Sequence, residues 1–373
     1  MKINLAVKCS VFRFFFRYLQ KNIGKRMKSK LLKINSALIV LVVLFAQTTI
    51  MAQETLYPFS DKGKYGYINK TGKVVLPAQF EYAEKFYEGL AVVKQGGKRG
   101  FIDMTGKVVI PSIYDQKIDG YFSDGLACVK QAGKYFYIDK TGKTVITPQS
   151  DISYKFSEGM ARFQKGLKLG YIDKTGAVVV KPEYDGAWDF KEGMGRVKKN
   201  GKWGFIDKTG KVVIDFKYDE TFEFSEGLAN VRIGDDKTGK WGYIDKTGKV
   251  VIEMQFDRAY TFSDGLACIR IGDYKNGKFG YIDKTGKVVI NPVYTGAYFF
   301  NDGMACVSTS PLVNGSLKDA KWQFIDKTGK LVITRGADYY ADFYKGLAYV
   351  SYGGVLTYID KTGKVLWPAG GGN

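Results

Sequence analysis

The sequence predicts an all-β protein, a tandem array of nine similar three-stranded units. Two observations predict it. The chain has 373 residues with 45 glycines and 15% aromatic residues, a composition typical of short strands joined by tight turns. An Ile-Asp or Ile-Asn pair also recurs every 34 to 43 residues, which indicates a repeat architecture. The isoleucines of these pairs are Ile68, Ile102, Ile138, Ile172, Ile206, Ile244, Ile282, Ile325 and Ile359.

Residues 1–52 precede the array and have the composition of a targeting segment. They contain ten basic residues and no acidic one, and residues 37–46 form an unbroken apolar run. A basic region, a short apolar run and the small residue Ala52 are typical of a signal peptide, and Met27 is a plausible true start. We therefore predict export and cleavage near Gln53. The alternative is an uncleaved anchor formed by residues 34–52.

The clearest unit shows three strands. Residues 227–231 (G-L-A-N-V) form the first, residues 240–245 (K-W-G-Y-I-D) the second and residues 249–252 (K-V-V-I) the third. Asp245 and Gly248 lie in the D-K-T-G turn between strands two and three. Asp bonds its own backbone and Gly adopts a left-handed conformation, so turn chemistry explains both.

Strand two carries apolar residues on both faces, because Trp241 and Tyr243 alternate with Gly242 and Ile244. A strand that is apolar on both faces is covered on both sides, which predicts that neighbouring units stack on each other. We expect Gly242 to let a neighbouring unit approach closely.

These residues carry a family resemblance. The segment K-W-G-F-I-D-K-T-G-K-V-V-I at residues 202–214, with F-x-E/D-G-L/M-A upstream, resembles the WG-repeat (KWG-repeat) family of bacterial proteins. The resemblance covers about residues 54–367. It implies an exported or intracellular β-repeat protein of mostly unassigned role, and it supplies no catalytic residues.

The sequence leaves two ways of arranging the units. Nine units exceed the four to eight blades usual for a β-propeller, and the chain starts and ends in the same phase of the repeat. The first unit is degraded, as in a cap. We therefore expect an open superhelical stack, with a β-propeller-like ring as the alternative.

The cysteines after the leader occupy one repeat position. Cys128, Cys268 and Cys306 all stand at x of G-L/M-A-x-V. Equivalent strands of stacked sheets lie about 10 Å apart, which is too far for a disulfide. We expect all three thiols to stay reduced.

Binding should use positions that vary between units. Two residues before the spacer phenylalanine, the central units carry a ladder of aromatic residues. An aromatic ladder suits stacking on sugars or partner side chains, whereas the alternative is a stripe of the core between units. The acid three residues before the ladder position could bond a sugar hydroxyl or hold the turn. The ladder comprises Tyr154, Trp188, Phe222, Tyr260 and Tyr298.

Charge adds a second candidate surface. Residues 53–373 have 47 basic and 37 acidic residues, a net charge of +10, and the lysines recur at the turns. Basic stripes would attract anionic glycans or a membrane surface, or they are solvated loops. A nucleic-acid partner is not expected, since no reading motif accompanies the charge.

The sequence thus predicts a leader (1–52) followed by a nine-unit array (53–373) that acts as an exported, non-enzymatic binding or scaffolding protein of the cell envelope. The partner would be an envelope protein or a glycan, with no cofactor and no metal. The absence of histidine excludes His-based triads and imidazole zinc sites. The alternative is a carbohydrate-active enzyme using two carboxylates. Asp119 and Asp319 are its off-pattern candidates.

Overall fold

The computed structural model describes residues 54–115, 120–311, 317 and 319–368, and the predicted leader lies outside them. The described chain is all-β. It forms nine antiparallel sheets, here called blades 1 to 9 in chain order, and within it no helix has the length and hydropathy of a membrane span. The strands of blades 1 to 4 are β1 (Tyr57–Asp61), β2 (Lys64–Ile68), β3 (Val74–Phe80); β4 (Tyr82–Ala83), β5 (Leu90–Gln95), β6 (Lys98–Asp103), β7 (Val108–Tyr114); β8 (Ala127–Gln131), β9 (Lys134–Ile138), β10 (Thr144–Ile146); β11 (Ile152–Ser157), β12 (Met160–Lys165), β13 (Lys168–Asp173) and β14 (Val178–Tyr184). Those of blades 5 to 9 are β15 (Gly186–Ala187), β16 (Gly195–Lys199), β17 (Lys202–Ile206), β18 (Val212–Tyr218); β19 (Glu220–Thr221), β20 (Leu228–Ile233), β21 (Lys240–Asp245), β22 (Val250–Phe256); β23 (Arg258–Ala259), β24 (Ala267–Ile271), β25 (Lys278–Ile282), β26 (Val288–Tyr294); β27 (Gly296–Ala297), β28 (Met304–Ser308), β29 (Trp322–Asp326), β30 (Leu331–Ala337); β31 (Phe343–Tyr344), β32 (Leu347–Tyr352), β33 (Val355–Asp360) and β34 (Val365–Trp367).

The blades close into a nine-bladed β-propeller-like ring, so the expected open stack is wrong and its alternative is right. Blades 1 and 9 share a core in which Tyr57 and Phe59 pack with Tyr358 and Leu347. Two tyrosine hydroxyls join the blades, Tyr57 donating to the Lys345 carbonyl and Tyr358 to the Pro58 carbonyl, each at 2.8 Å. Side-chain packing and these two hydrogen bonds close the ring, and no sheet of the described residues contains strands of both blades.

Among the described residues, seven of the nine blades contain a fourth strand, whereas the sequence predicted three strands in each unit. The extra strand comes first in its blade and arises from the spacer between units. In six blades it is only two residues long, as in β15 and β19, and a strand this short leaves no alternating pattern to detect.

The core lies between blades. This confirms the prediction from the second strand of the repeat, which is apolar on both faces. Trp241 and Tyr243 of blade 6 pack with Ala267 and Ile269 of blade 7. Ile244, on the opposite face of the same strand, packs with residues of blade 5. Each blade is therefore covered on both faces by its neighbours.

Gly242 allows a close approach, but within its own blade. A Cβ at this position would lie 2.5 Å from the Ile252 carbonyl oxygen of β22. The register between β21 and β22 shifts here, so the bulge and not a neighbouring unit requires the glycine. The sequence prediction for Gly242 was wrong in this respect.

Candidate functional site

The Asp or Asn side chain of each Ile-Asp or Ile-Asn pair accepts hydrogen bonds from the turn that follows it. In blade 5, Asp207 Oδ1 accepts from Thr209 N at 2.9 Å, Thr209 Oγ1 at 2.6 Å and Lys211 N at 3.0 Å. The Thr209 hydroxyl bond is the main cause that lowers the pKa of Asp207. Asn69 makes the same three bonds in blade 1. The turn explanation is thus confirmed for these residues. The other blades repeat the arrangement at Asp103, Asp139, Asp173, Asp245, Asp283, Asp326 and Asp360.

A second class of acids joins neighbouring blades, and the sequence did not reveal it. Glu226 of blade 6 accepts from Gly265 N at 3.0 Å and pairs with Lys284 Nζ at 2.9 Å, both in blade 7. We call the acids of this class, each of which bonds to the following blade, clasp acids. Blade 9 has Lys345 at the position of the clasp acid, so it carries no clasp acid to bond to blade 1. Burial opposes ionisation of Glu226, yet the bonds from Lys284 and Gly265 outweigh it and lower its pKa. The clasp acids are Glu88, Asp124, Glu158, Glu192, Glu226, Asp264 and Asp302.

The acid before the ladder position holds its loop. Asp257 accepts from Lys240 Nζ at 2.6 Å and from Gly272 N at 2.8 Å. Each carboxylate oxygen of Asp257 therefore accepts a bond, which supports the turn-holding interpretation. The same pairing with a lysine recurs at Asp115, Asp185, Asp219 and Asp338.

These acids neutralise many of the repeated lysines. The lysine before strand two pairs with a loop acid, as Lys240 does with Asp257. The first lysine of the turn pairs with a clasp acid, as Lys208 does with Glu158 at 3.4 Å. The basic stripes inferred from the sequence are therefore interrupted by carboxylates at both ends of the blades.

The aromatic ladder lies at the margin of the contacts between blades. Tyr154, Phe222, Tyr260 and Tyr298 are partly buried, and Trp188 is 40% exposed. Phe222, Tyr260 and Tyr298 each pack against a neighbouring core cluster. The ladder residues follow one another from blade 4 to blade 8, but they are neither free platforms nor fully buried.

Arginine side chains lie between successive ladder rings in blades 4 to 7. The Arg162 guanidinium lies 4.0 Å from the Tyr154 ring centroid, and that of Arg196 lies 4.3 Å from Trp188. The Arg258 guanidinium lies 5.4 Å from the Tyr260 ring centroid. Because guanidinium groups occupy positions over these rings, little ring face is left for a ligand in this part of the ladder.

The x position of G-L/M-A-x-V bonds to the next blade. Arg162 Nη1 donates to the Ala187 carbonyl at 2.8 Å, and Asn230 Nδ2 donates to that of Ala259 at 2.8 Å. The three cysteines at this position, Cys128, Cys268 and Cys306, are buried and form no disulfide within the described residues. The expectation of reduced thiols agrees with the structure. Burial raises the pKa of Cys306 to about 12.

In blade 9 the ladder continues through Tyr340, which stands one residue before the ladder position of the repeat. The alignment assigns Ala341 to the ladder, but Ala341 is buried and Tyr340 is 51% exposed. The Tyr340 ring stacks on that of Tyr298, with centroids 3.8 Å apart and planes 13° apart. A shift of one residue exchanges the two faces of an extended segment, which explains the difference.

Two charged residues lie near this end of the ladder. Asp342 is half-buried and Lys85 of blade 2 lies with its Nζ 4.2 Å from the Tyr344 ring centroid. Burial raises the pKa of Asp342, and the Lys85 charge opposes the rise. Within residues 54–115, 120–311, 317 and 319–368, no hydrogen bond or ion pair holds the Asp342 carboxylate, and no group of three or more acidic or cysteine side chains forms a metal site.

Comparisons with known proteins bear on family and fold. The family model described as "WG containing repeat" matches residues 65–98, 100–135, 135–168, 170–203, 203–237, 241–274, 279–309 and 322–355. No curated protein matches the chain. Among solved structures, it is similar to a crystal structure of a eukaryotic initiation factor at 14% identity, covering 84% of this chain and 95% of that one with a TM-score of 0.59. It also matches apo AztD from Citrobacter koseri at 12% identity, covering 74% and 93% of the two chains with a TM-score of 0.38. The likeness to the initiation factor concerns the fold alone.

Proposed function

The chain belongs to the family of proteins that contain WG repeats, and from this premise we propose that it is an exported, non-enzymatic binding or scaffolding protein of the cell envelope. One observation carries the proposal. The three recurring classes of carboxylate, represented by Asp207, Glu226 and Asp257, are each engaged in turns, clasps or loops. Carboxylates used in this way stabilise a scaffold and are poorly placed for proton transfer to a substrate.

Export is proposed from the leader sequence. The basic region, the apolar run at residues 37–46 and Ala52 support cleavage before Gln53. Mass spectrometry of the protein purified from its host tests this step. A mature N-terminus near Gln53 supports export with cleavage, whereas a peptide spanning residues 37–53 supports the anchored alternative.

The partner is proposed to be an envelope protein or a glycan. Repeat rings present extended surfaces built from varying positions, and those surfaces serve recognition. Tyr340 (51% exposed) is such a position, because the spacers of blades 2 to 8 carry smaller residues there. A nucleic-acid partner is not proposed.

Co-purification tests the proposed function. The mature chain, fixed on beads, is incubated with the solubilised envelope fraction of its host, and retained proteins and polysaccharides are identified. Saturable retention of one protein or polysaccharide supports binding or scaffolding. Retention of nothing above a bead control, or turnover of an envelope polysaccharide, contradicts it.

The enzymatic alternative requires a pair of carboxylates about 5–10 Å apart. Its candidate Asp319 is exposed in the insertion of blade 8, and its candidate Asp119 lies outside the described residues. We therefore keep the binding function as the proposal.

A further inference from the structure

The ladder has one end where its ring faces are not covered by arginine. In blades 4 and 5 the x position is arginine, which fills the space between successive ladder rings. In blade 8 it is Cys306, a much shorter side chain. In this part of the ladder Tyr340 stacks directly on Tyr298.

The Tyr340 ring is held rigidly by two supports. Tyr298 covers one of its faces, and Trp322 meets its edge at 6.2 Å with the planes 66° apart. Trp322 in turn packs against Tyr298 at 5.3 Å and is almost fully buried. Because the rings are already ordered, a ligand that stacks on Tyr340 loses little side-chain entropy. Despite these contacts, Tyr340 remains 51% exposed.

A carboxylate, that of Asp342, follows this ring by two residues in the chain. Residues 340–342 form no regular secondary structure, and Asp342 is half-buried. Burial is the main cause that raises the pKa of Tyr298, and Tyr340 and Asp342 both add to the rise. Within the described residues the Asp342 oxygens accept no hydrogen bond.

We propose that blade 9 carries a carbohydrate-binding site, in which a neutral pyranose ring stacks on Tyr340 and donates hydroxyl hydrogen bonds to Asp342. This rests on the proposed binding function and names its ligand class. A half-exposed aromatic ring, followed two residues later by a carboxylate that accepts no hydrogen bond within the described residues, suits a sugar, whose C–H face is apolar and whose edge carries hydroxyl donors. A protein partner would bury the ring without requiring an acceptor at this position.

The full mature chain is titrated with chitohexaose and with cellohexaose, and binding is measured by calorimetry. Both probes are β-1,4-linked chains whose rings present flat C–H faces. We expect saturable binding of at least one hexaose. Tyr340→Ala and Asp342→Asn should each weaken it by roughly tenfold or more, while Tyr340→Trp retains it.

Tyr274→Ala is the matched control, because this tyrosine is 72% exposed on the β24–β25 hairpin and lies outside the stack. Equal melting temperatures of the variants show that each one folds. Unchanged binding by Tyr340→Ala, equal loss in Tyr274→Ala, or no binding of either hexaose by the wild type would overturn the proposed site. If the wild type binds neither hexaose but still retains an envelope protein, only this site is wrong. If it also retains nothing from the envelope, the proposed function is wrong as well.

Discussion

The hydroxyl of Tyr358 in blade 9 donates to the carbonyl oxygen of Pro58 in blade 1, at 2.8 Å and across 300 residues of sequence. The equivalent tyrosine of blade 6, Tyr243, donates to the carbonyl of Tyr260 in blade 7 at 2.7 Å. The closing bond therefore has the same donor as the bonds between internal blades, but its acceptor, Pro58, lies on β1, at the position that Asn230 occupies in β20. Closure thus combines the tyrosine of the ordinary repeat with an acceptor that differs from those of the internal blades.

Removing the closing hydroxyl should cost the energy of one partly buried hydrogen bond. We expect Tyr358→Phe to lower the free energy of unfolding by about 1 kcal/mol, and Tyr243→Phe to do the same. Phe205 occupies the equivalent position in blade 5, so the ring without its hydroxyl fits this site. Urea denaturation of the two variants measures both values. A Tyr358→Phe variant as stable as the wild type would contradict a closing role for this bond.

Loss of one clasp acid should also destabilise the ring. Glu226→Ala removes the acceptor for Gly265 N and the partner of Lys284, and we expect a loss of about 1–2 kcal/mol. Glu253→Ala, a change of an acid at an exposed position of β22, serves as the control and should have little effect. Similar unfolding midpoints for the two variants would count against the clasp.

Acid should unfold the protein at a pH below the ordinary carboxyl range. The pKa values of Asp207, Asp245, Glu158 and Glu226 are lowered in the folded state from reference values of 3.8 for Asp and 4.5 for Glu. A lowered folded-state pKa means that the unfolded chain takes up protons first, so stability is fully present above about pH 4.5 and falls as the pH drops through the folded-state values. Melting temperatures between pH 7 and pH 2.5 test this. A constant melting temperature over that range would contradict it.

The cysteines should be unreactive until the chain unfolds. Burial raises the pKa of the Cys268 and Cys306 thiols, and only the thiolate reacts readily. A mature chain beginning near residue 53 should show no fast-reacting thiol when native and three in denaturant. Discovery of a Cys268–Cys306 disulfide by peptide mapping would contradict the arrangement of the blades.

Local features of the fold could be predicted from the sequence, whereas distant ones could not. The bonds of Asp207 lie within four residues, so the D-K-T-G turn was predictable from its letters. Ring closure depends on contacts such as Tyr57 with Tyr358, whose rings lie 5.7 Å apart, and no local pattern encodes them. The short first strands escaped notice because two residues carry no periodicity.

The candidate site shows the same division. The ladder from Tyr154 to Tyr298 was recognisable as a varying position of the repeat, but the guanidinium of Arg196 over Trp188 was not. Tyr340 was not predicted, because the units were compared by counting two residues back from the spacer phenylalanine. In blade 9 the aromatic residue stands three residues before that phenylalanine. A run of two tyrosines, where other units have a small buried residue, was the only signal available.

Spin-label distances test the closed ring most directly. Lys64, Lys202, Lys240 and Val355 stand at the start of strand two in blades 1, 5, 6 and 9. Each is replaced by cysteine in pairs, and the distance between labels is measured by pulsed electron paramagnetic resonance. The closed ring predicts that the 64–355 pair has the same distance as the 202–240 pair of adjacent blades. A 64–355 distance several times longer than the 202–240 distance would show an open array and contradict the ring.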